Sequence, residues 1–240
     1  MSGEADIPRE PVAAWDRYWT TQRRGGMYGA IARFYRHQII RPALNRFVRT
    51  TFANNGAPLL HVGCGSGQVD VDVRNTCDVI AVDISAAALN LYRQSAGRAA
   101  KAVRGSATAL PLADRSIAGI YSLGLLEHFE EPEIRTILRE FRRVLAEGGK
   151  VLLLWPPRWG PTVMVLDSTH FIVNRVLRIP MKLHPDEVSL LRSRAHLQRL
   201  IAGTGFGIEQ FYFGPRDAFT HVICVLSQAK ETHPDSGHGR

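Results

Sequence analysis

Three glycines at alternate positions and one later carboxylate are the residues that point most directly to chemistry. Gly63, Gly65 and Gly67 follow the apolar run 59–62, and Asp83 ends a second apolar run. Glycines so closely spaced let a ligand approach the backbone, and a carboxylate at the end of the next strand suits the paired hydroxyls of a ribose. The pattern therefore predicts a nucleotide-binding turn between a buried strand and a helix.

The spacing of the glycines indicates which nucleotide binds. A dinucleotide site requires G-x-G-x-x-G, but position 68, where the third glycine would stand, is Gln. G-x-G-x-G followed by a strand-terminal acid resembles the signature of class I S-adenosylmethionine-dependent methyltransferases. The resemblance implies that the cofactor is S-adenosylmethionine, with S-adenosylhomocysteine as its product.

The same resemblance implies a set of cofactor contacts. Asp83 would bind the ribose hydroxyls, and Ile84 would flank the adenine. The sequence departs from the family at two positions: His61 replaces the usual Glu or Asp before the glycines, and Ser106 replaces the usual acid after the third strand. The predicted cofactor-binding residues are His61, Gly63, Cys64, Gly65, Gly67, Asp83, Ile84, Ser106, Ala107, Leu123 and Gly124.

A second segment, which contains candidate catalytic residues, follows the fourth predicted strand. Residues 122–129 read Ser-Leu-Gly-Leu-Leu-Glu-His-Phe, which resembles the segment beside the transferred methyl in methyltransferases with small acceptors and in cyclopropane fatty acid synthases. His128 could act as a general base, because its ordinary pKa lies near working pH, and Glu127 could orient it or contact the acceptor. The alternatives are that His128 caps a helix, or that positioning alone supplies the rate of an in-line displacement.

Alternating strands and helices from residue 58 onward are expected to position these residues. Such alternation is typical of a parallel sheet covered on both faces. The resemblance implies that two late strands form the antiparallel hairpin of a seven-stranded sheet, so the predicted fold class is α/β, doubly wound and mostly parallel. Strands are predicted at 58–63, 78–83, 100–105, 117–123, 149–155, 206–213 and 219–226, and helices at 66–75, 86–96, 131–146 and from 187 to about 203.

A single methyltransferase domain is predicted over residues 13–227, between a flexible N-terminus at 1–12 and a disordered tail at 228–240. Residues 13–57 would form a helical cap, and the insertion 156–184 after strand 5 would form a lid over the acceptor. Acceptor contacts are therefore predicted for Tyr18, Tyr28, Tyr35, Trp159, Met164 and Phe171.

Composition narrows the class of protein. The 240-residue chain has 45% hydrophobic residues and a net charge of +8, but its arginines are scattered and no RNA-binding module is recognisable, so nucleic acid is not the expected partner. Three cysteines without a C-x-x-C pair predict neither disulfides nor a metal site. Since no secretory signal or membrane-spanning run is found, a cytoplasmic location is expected.

The resulting functional prediction is methyl transfer from S-adenosylmethionine to a small organic acceptor in secondary metabolism, with oxygen favoured over nitrogen or carbon by family frequency. Two alternatives stay open. The amphipathic insertion would also suit methyl or methylene transfer to a lipid, with peripheral contact to a membrane surface. The departures at His61 and Ser106 would also suit a non-catalytic cofactor-binding partner subunit. The sequence does not set the oligomeric state.

Overall fold

The computed structural model describes residues 9–21, 33–53, 58–96, 101–158 and 188–229. Its strands are β1 (Leu59–Val62), β2 (Val79–Asp83), β3 (Lys101–Arg104), β4 (Ile117–Leu123), β5 (Leu145–Trp155), β6 (Phe206–Tyr212) and β7 (Val222–Gln228). Its helices are α1 (Arg9–Thr21), α2 (Arg41–Thr51), α3 (Val71–Thr76), α4 (Ala86–Ala96), α5 (Glu131–Val144) and α6 (Arg194–Ile201). Shorter turns are a π-helical turn at Arg36–Ile40 and 3-10 turns at Leu126–His128 and Pro215–Asp217.

The strands form one sheet in the order β3-β2-β1-β4-β5-β7-β6. Strands β1 to β5 pair in parallel, and β7 is antiparallel to both β5 and β6. The predicted α/β fold with a mostly parallel seven-stranded sheet is confirmed. Because the strand order reverses between β1 and β4, their carboxyl ends border the crevice where such sheets bind ligands.

Helix α5 covers one face of the sheet and shows why the sequence folds as predicted. Its first turn carries Pro132 and a capping box in which Glu130 and Glu133 satisfy each other's backbone amides. Apolar residues three or four apart then face the sheet, where burial removes them from water. The fully buried stripe comprises Ile134, Ile137, Leu138, Phe141 and Val144.

Helix α2 covers the opposite face. Its Leu44, Phe47 and Val48 are buried in one apolar cluster with Tyr121 of β4 and Ile223 of β7. Both faces of the central strands are therefore shielded from water, which explains why these strands are apolar without alternation. None of the described helices is long and apolar enough to cross a membrane.

The helix predicted at 66–75 is wrong in its first half, because α3 begins only at Val71. The chain between β1 and α3 contains three glycines with positive φ, a conformation that an α-helix cannot contain. The helix predicted at 131–146 ends at Val144, and β5 begins at Leu145 rather than 149. A shift of strand register between residues 117 and 119 accommodates the Gly148-Gly149 pair inside β5.

Two predicted domain boundaries also differ from the structure. Helix α1 begins at Arg9, so the flexible N-terminus predicted at 1–12 is too long. Strand β7 continues to Gln228, and the Ala229 amide donates to the Gly205 carbonyl, so the tail cannot begin at 228. Most of the lid-like insertion, including Trp159, Met164 and Phe171, lies outside the described residues, as does Tyr28.

Candidate active site

The three predicted glycines form a tight turn at the carboxyl end of β1. Gly63, Gly65 and Gly67 have φ values of +69°, +51° and +66°, a left-handed conformation that glycine adopts without strain. A Cβ added at Gly67 would lie 2.6 Å from the ring of Tyr92, and one at Gly65 would lie 2.6 Å from the indole of Trp19. Both positions therefore require glycine on conformational and steric grounds.

Asp83, at the end of β2, is tied directly to this turn. One carboxylate oxygen accepts a hydrogen bond from the Gly65 amide at 2.9 Å, and the other accepts from the Ser85 amide at 2.9 Å. Burial raises the pKa of Asp83, although these amide hydrogen bonds oppose the shift. Each carboxylate oxygen can still accept a second hydrogen bond, so Asp83 fits the hydroxyls of a ribose. The glycine turn fits an amino-acid group that approaches the backbone.

A buried polar network lies directly beneath the turn. Asp70 is fully buried, and its Oδ2 contacts His61 Nδ1 at 2.7 Å and the hydroxyls of Tyr92 at 3.0 Å and Tyr121 at 3.1 Å. The imidazole of His61 also stacks on the Tyr121 ring, with centroids 4.5 Å apart. His61 therefore supports the turn from below, while its assignment as a cofactor contact remains a prediction.

Arg74 connects this network to the last glycine of the turn. Its guanidinium donates to the Gly67 carbonyl at 2.7 Å, lies 4.6 Å from the Tyr92 ring centroid, and places Nε 3.1 Å from Asp70 Oδ1. The Nε contact lacks good hydrogen-bond geometry, so we treat it as an ion pair. Burial raises the pKa of Asp70, but the charges and hydrogen bonds of His61, Arg74 and Tyr92 outweigh burial and lower it.

Helix α1 crosses the carboxyl ends of β1, β2 and β4. Asp16 accepts hydrogen bonds from the Ser85 hydroxyl at 2.5 Å and the Ala87 amide at 3.1 Å, at the start of α4. On either side of Asp16, Trp19 packs against Gly65, and Trp15 meets the His128 ring edge to face at 5.0 Å. The predicted acceptor residue Tyr18 contacts both indoles, at 5.6 and 5.1 Å between centroids. Helix α1 thus covers the edge that carries the predicted cofactor residues.

The predicted catalytic pair follows β4 on a 3-10 turn. Glu127 is 3% exposed, and its carbonyl accepts the amides of Val188 at 2.7 Å and Ser189 at 3.0 Å. The carbonyl of Ser189 in turn accepts from the Trp155 indole at 2.8 Å. The chain that follows the insertion therefore returns to this edge beside Glu127.

The remaining predicted cofactor residues lie around the same edge. Ser106 contacts the Thr108 hydroxyl at 2.7 Å, so its hydroxyl already takes part in a local turn, and Ala107 is buried beside it. Cys64 is buried within the glycine turn, and burial raises the pKa of its thiol well above the ordinary value. Gly124 has a φ of +68°, and a Cβ there would lie 3.5 Å from Glu127 Oε1. Leu123 is half-buried just before it.

Sequence reasoning missed Asp70, Arg74, Tyr92 and Tyr121. The available signal was the alternation of valines with charged residues at 69–74. This alternation, which includes Asp70, is atypical of the helix that was expected there. Only the fold brings Asp70 beneath β1 and next to two tyrosines from separate elements.

Comparison with known proteins shows that part of this chain is similar to methyltransferases. Residues 59–149 match the family described as "Methyltransferase domain". O-methyltransferase resE from Aspergillus sclerotiorum is 27% identical over 165 residues, which are 65% of this chain and 57% of the length of that relative.

Solved methyltransferases share the fold at low identity. Magnesium protoporphyrin IX methyltransferase (ChlM) from Synechocystis PCC 6803, with bound SAH, superposes with a TM-score of 0.63 at 16% identity, over 90% of this chain and 95% of that one. Geranyl diphosphate C-methyltransferase from Streptomyces coelicolor A3(2) gives 0.55 at 14% identity, over 78% and 79%. The chain therefore has the fold of these methyltransferases, and its residues 59–149 match the methyltransferase-domain family.

Proposed function

We propose that this protein transfers a methyl group from S-adenosylmethionine to a small organic acceptor, with a hydroxyl oxygen favoured as the methylated atom. The observation that carries the proposal is the arrangement at the sheet edge. The glycine turn and Asp83 lie at the ends of β1 and β2, and His128 follows β4, which pairs with β1. The name of the Aspergillus relative supports oxygen as the acceptor atom.

The bound cofactor would supply an electrophilic methyl group on a sulfonium. The chain's own residues would hold that group and the acceptor in line, since positioning can account for much of the rate of a displacement. Asp83 would accept from the ribose hydroxyls while keeping its bond to the Gly65 amide. His128, held against Trp15, would accept the proton of the acceptor hydroxyl. Helix α1 would exclude water from the reacting atoms.

The experiment is a transfer assay with methyl-labelled S-adenosylmethionine and a panel of phenols, aliphatic alcohols, amines and carbon acids. Labelled product from a phenol or alcohol supports the proposal, and Asp83→Ala should lower the yield of product at cofactor concentrations below saturation. Product only from amines or carbon acids would overturn the assignment to oxygen.

Two further assays address the other assignments. Transfer only to lipid in phospholipid vesicles would favour the lipid-directed alternative. Binding of S-adenosylmethionine without any product, in the presence or absence of vesicles, would favour the non-catalytic alternative.

A further inference from the structure

The connection between β6 and β7, residues 213–221, holds a polar cluster of Asp217, Thr220 and His221 at the ligand-binding edge of the sheet. Strand β7 is antiparallel to β5 and begins where β5 ends, because Val222 pairs with Trp155. The connection therefore lies at the carboxyl edge, beside Trp155, which lines a small cleft together with Glu127. The cluster thus stands on the side of β4 away from Asp83.

Hydrogen bonds within the cluster fix the protonation of its histidine. The Asp217 carboxylate accepts from the His221 amide at 2.8 Å, and the Thr220 hydroxyl donates to the Asp217 carbonyl at 2.8 Å. Thr220 Oγ1 also lies 2.8 Å from His221 Nδ1. Because the single hydroxyl proton is directed to Asp217, whose carbonyl and Oδ2 lie 2.8 and 3.2 Å away, we assign Thr220 as the acceptor from Nδ1–H, which leaves Nε2 of the ring with a lone pair. Burial lowers the pKa of His221 to about 4, which keeps this ring neutral.

One acceptor atom of the cluster is buried without a hydrogen-bond partner within the described ranges. Asp217 is 2% exposed, and its Oδ1 is buried without a hydrogen-bond partner there. His221 is 8% exposed, and Nε2 is the ring nitrogen that Thr220 does not engage. Buried polar atoms are nearly always paired, so an unpaired one calls for a ligand or a bound water. Both atoms accept hydrogen bonds, so the matching ligand must donate them.

The backbone of this connection is strained at two consecutive residues. Ala218 and Phe219 have φ values of +55° and +57°, a left-handed conformation that is unusual for residues with a side chain. Hydrogen bonds from their amides to the carbonyls of Pro215 and Gly214 hold them there. Strain of this kind persists where the surrounding structure enforces it, and it is concentrated at ligand sites.

The strained residues give the cluster an apolar rim. Phe219 meets Phe213 edge to face at 5.5 Å, and both rings are more than one-third exposed. Burial raises the pKa of Tyr35, already a predicted acceptor residue, and Thr220 and Asp217 also act on this pKa, so the tyrosine lies beside the cluster. Aromatic walls around a few polar atoms are typical of small-molecule sites.

We propose that Asp217 Oδ1 and His221 Nε2 bind hydroxyl or amine groups of the methyl acceptor, and that Phe213 and Phe219 pack against its apolar part. The inference rests on the proposed function and deepens it, because the acceptor would be an aromatic or aliphatic molecule with at least two hydrogen-bond donors. Asp217 and His221 determine specificity in this arrangement and take no part in the displacement.

Catechol and its dimethyl ether, veratrole, are matched probes, since they share one ring and differ in their two donors. Binding of each probe is measured by calorimetry and ligand-observed NMR on protein saturated with S-adenosylhomocysteine. We expect catechol to bind at least tenfold more tightly than veratrole. Equal binding of the two probes, or no catechol binding, would overturn the proposal without any variant being needed.

His221→Phe and Asp217→Asn test the residues, and Arg216→Gln in the same connection is the control. Catechol affinity should fall about tenfold in the first two variants and remain unchanged in the control, while S-adenosylhomocysteine affinity is equal in all. Unchanged catechol affinity in both variants would overturn this site alone. Failure of the wild-type protein to bind S-adenosylhomocysteine would instead count against the proposed function.

Discussion

His61 and Asp70 form a fully buried pair beneath the glycine turn, with Nδ1 of the imidazole 2.7 Å from Oδ2 of the carboxylate. The resemblance of the glycine turn to the methyltransferase signature implies an acid at the position of His61. In this chain the carboxylate is still present beneath the turn, but it comes from Asp70 and is held by His61, Tyr92 and Tyr121. The departure at His61 is therefore accompanied by an acidic residue, Asp70, in direct contact with the histidine.

Replacing Asp70 by Asn should destabilise the fold strongly. The substitution keeps the volume but removes the charge that His61 and Arg74 face, and breaking a buried ion pair costs about 3–5 kcal/mol. Urea denaturation should show this loss. The control is Asp78→Asn, because Asp78 pairs with Lys101 at the surface and such pairs contribute about 1 kcal/mol or less. If Asp70→Asn lowered the free energy of unfolding no more than Asp78→Asn does, the buried network around Asp70 would not stabilise the fold as proposed.

Replacing Asp83 by Ala should weaken cofactor binding at least tenfold. The variant loses the acceptors for the ribose hydroxyls, and hydrogen bonds to a charged group contribute about 1.5–3 kcal/mol each, whereas about 1.4 kcal/mol suffices for a factor of ten. Calorimetry with S-adenosylhomocysteine on folded protein measures the change. Asp114→Ala, which removes an exposed partner of Arg143, should leave the affinity as it is. Wild-type affinity in the Asp83 variant would refute the ribose assignment.

Replacing His128 by Ala should lower turnover about a hundredfold while cofactor affinity stays nearly the same. The physical reason is the loss of the group that accepts the acceptor proton. The rate of the wild-type enzyme should depend on pH, and the residual rate of the variant should lack this dependence. His37→Ala, an exposed histidine on the π-helical turn, is the matched control. A small loss that is independent of pH would mean that His128 only shapes the pocket.

Acidification should destabilise the protein through His221. Its pKa is about 4 in the fold and near 6.5 when unfolded, so between these values the unfolded chain binds the proton and the folded protein does not. Stability is therefore retained above pH 6.5 and lost as the pH falls, by about 2 kcal/mol between pH 7 and 5. Denaturation curves at both pH values measure the loss. The stability of His221→Phe should depend less on pH by this amount. An equal pH dependence of stability in the variant and the wild-type protein would exclude His221 as its source.

The local features of the site were predictable from the sequence, and its supporting contacts were not. The glycine turn and Asp83 depend on neighbours in the chain, so their spacing alone predicted the nucleotide site. Asp70 is recognisable only after β1, α4 and β4 are assembled around it, because His61, Tyr92 and Tyr121 come from these three elements. The Asp217–His221 cluster likewise depends on β7 reversing direction beside β5.

Boundaries were predicted less well where two local preferences conflict. The pair Gly148-Gly149 usually closes a helix, but the chain is already extended from Leu145 and pairs with Ile117. Tertiary pairing overrides the local signal at this point. The short helix α3 is the converse case, since its alternating valines favour a strand and yet the crossover between β1 and β2 forms a helix.

The place of β7 in the sheet affects how the nascent chain folds. β5 pairs with β7 along residues 150–155, yet β6 is made first, so this edge of β5 has no partner until residues 222–227 leave the ribosome. The edge is apolar from Val151 to Trp155, and an unpaired apolar edge is a site of aggregation. A translational stop before residue 222 would therefore release a chain that contains the whole glycine turn but associates with itself.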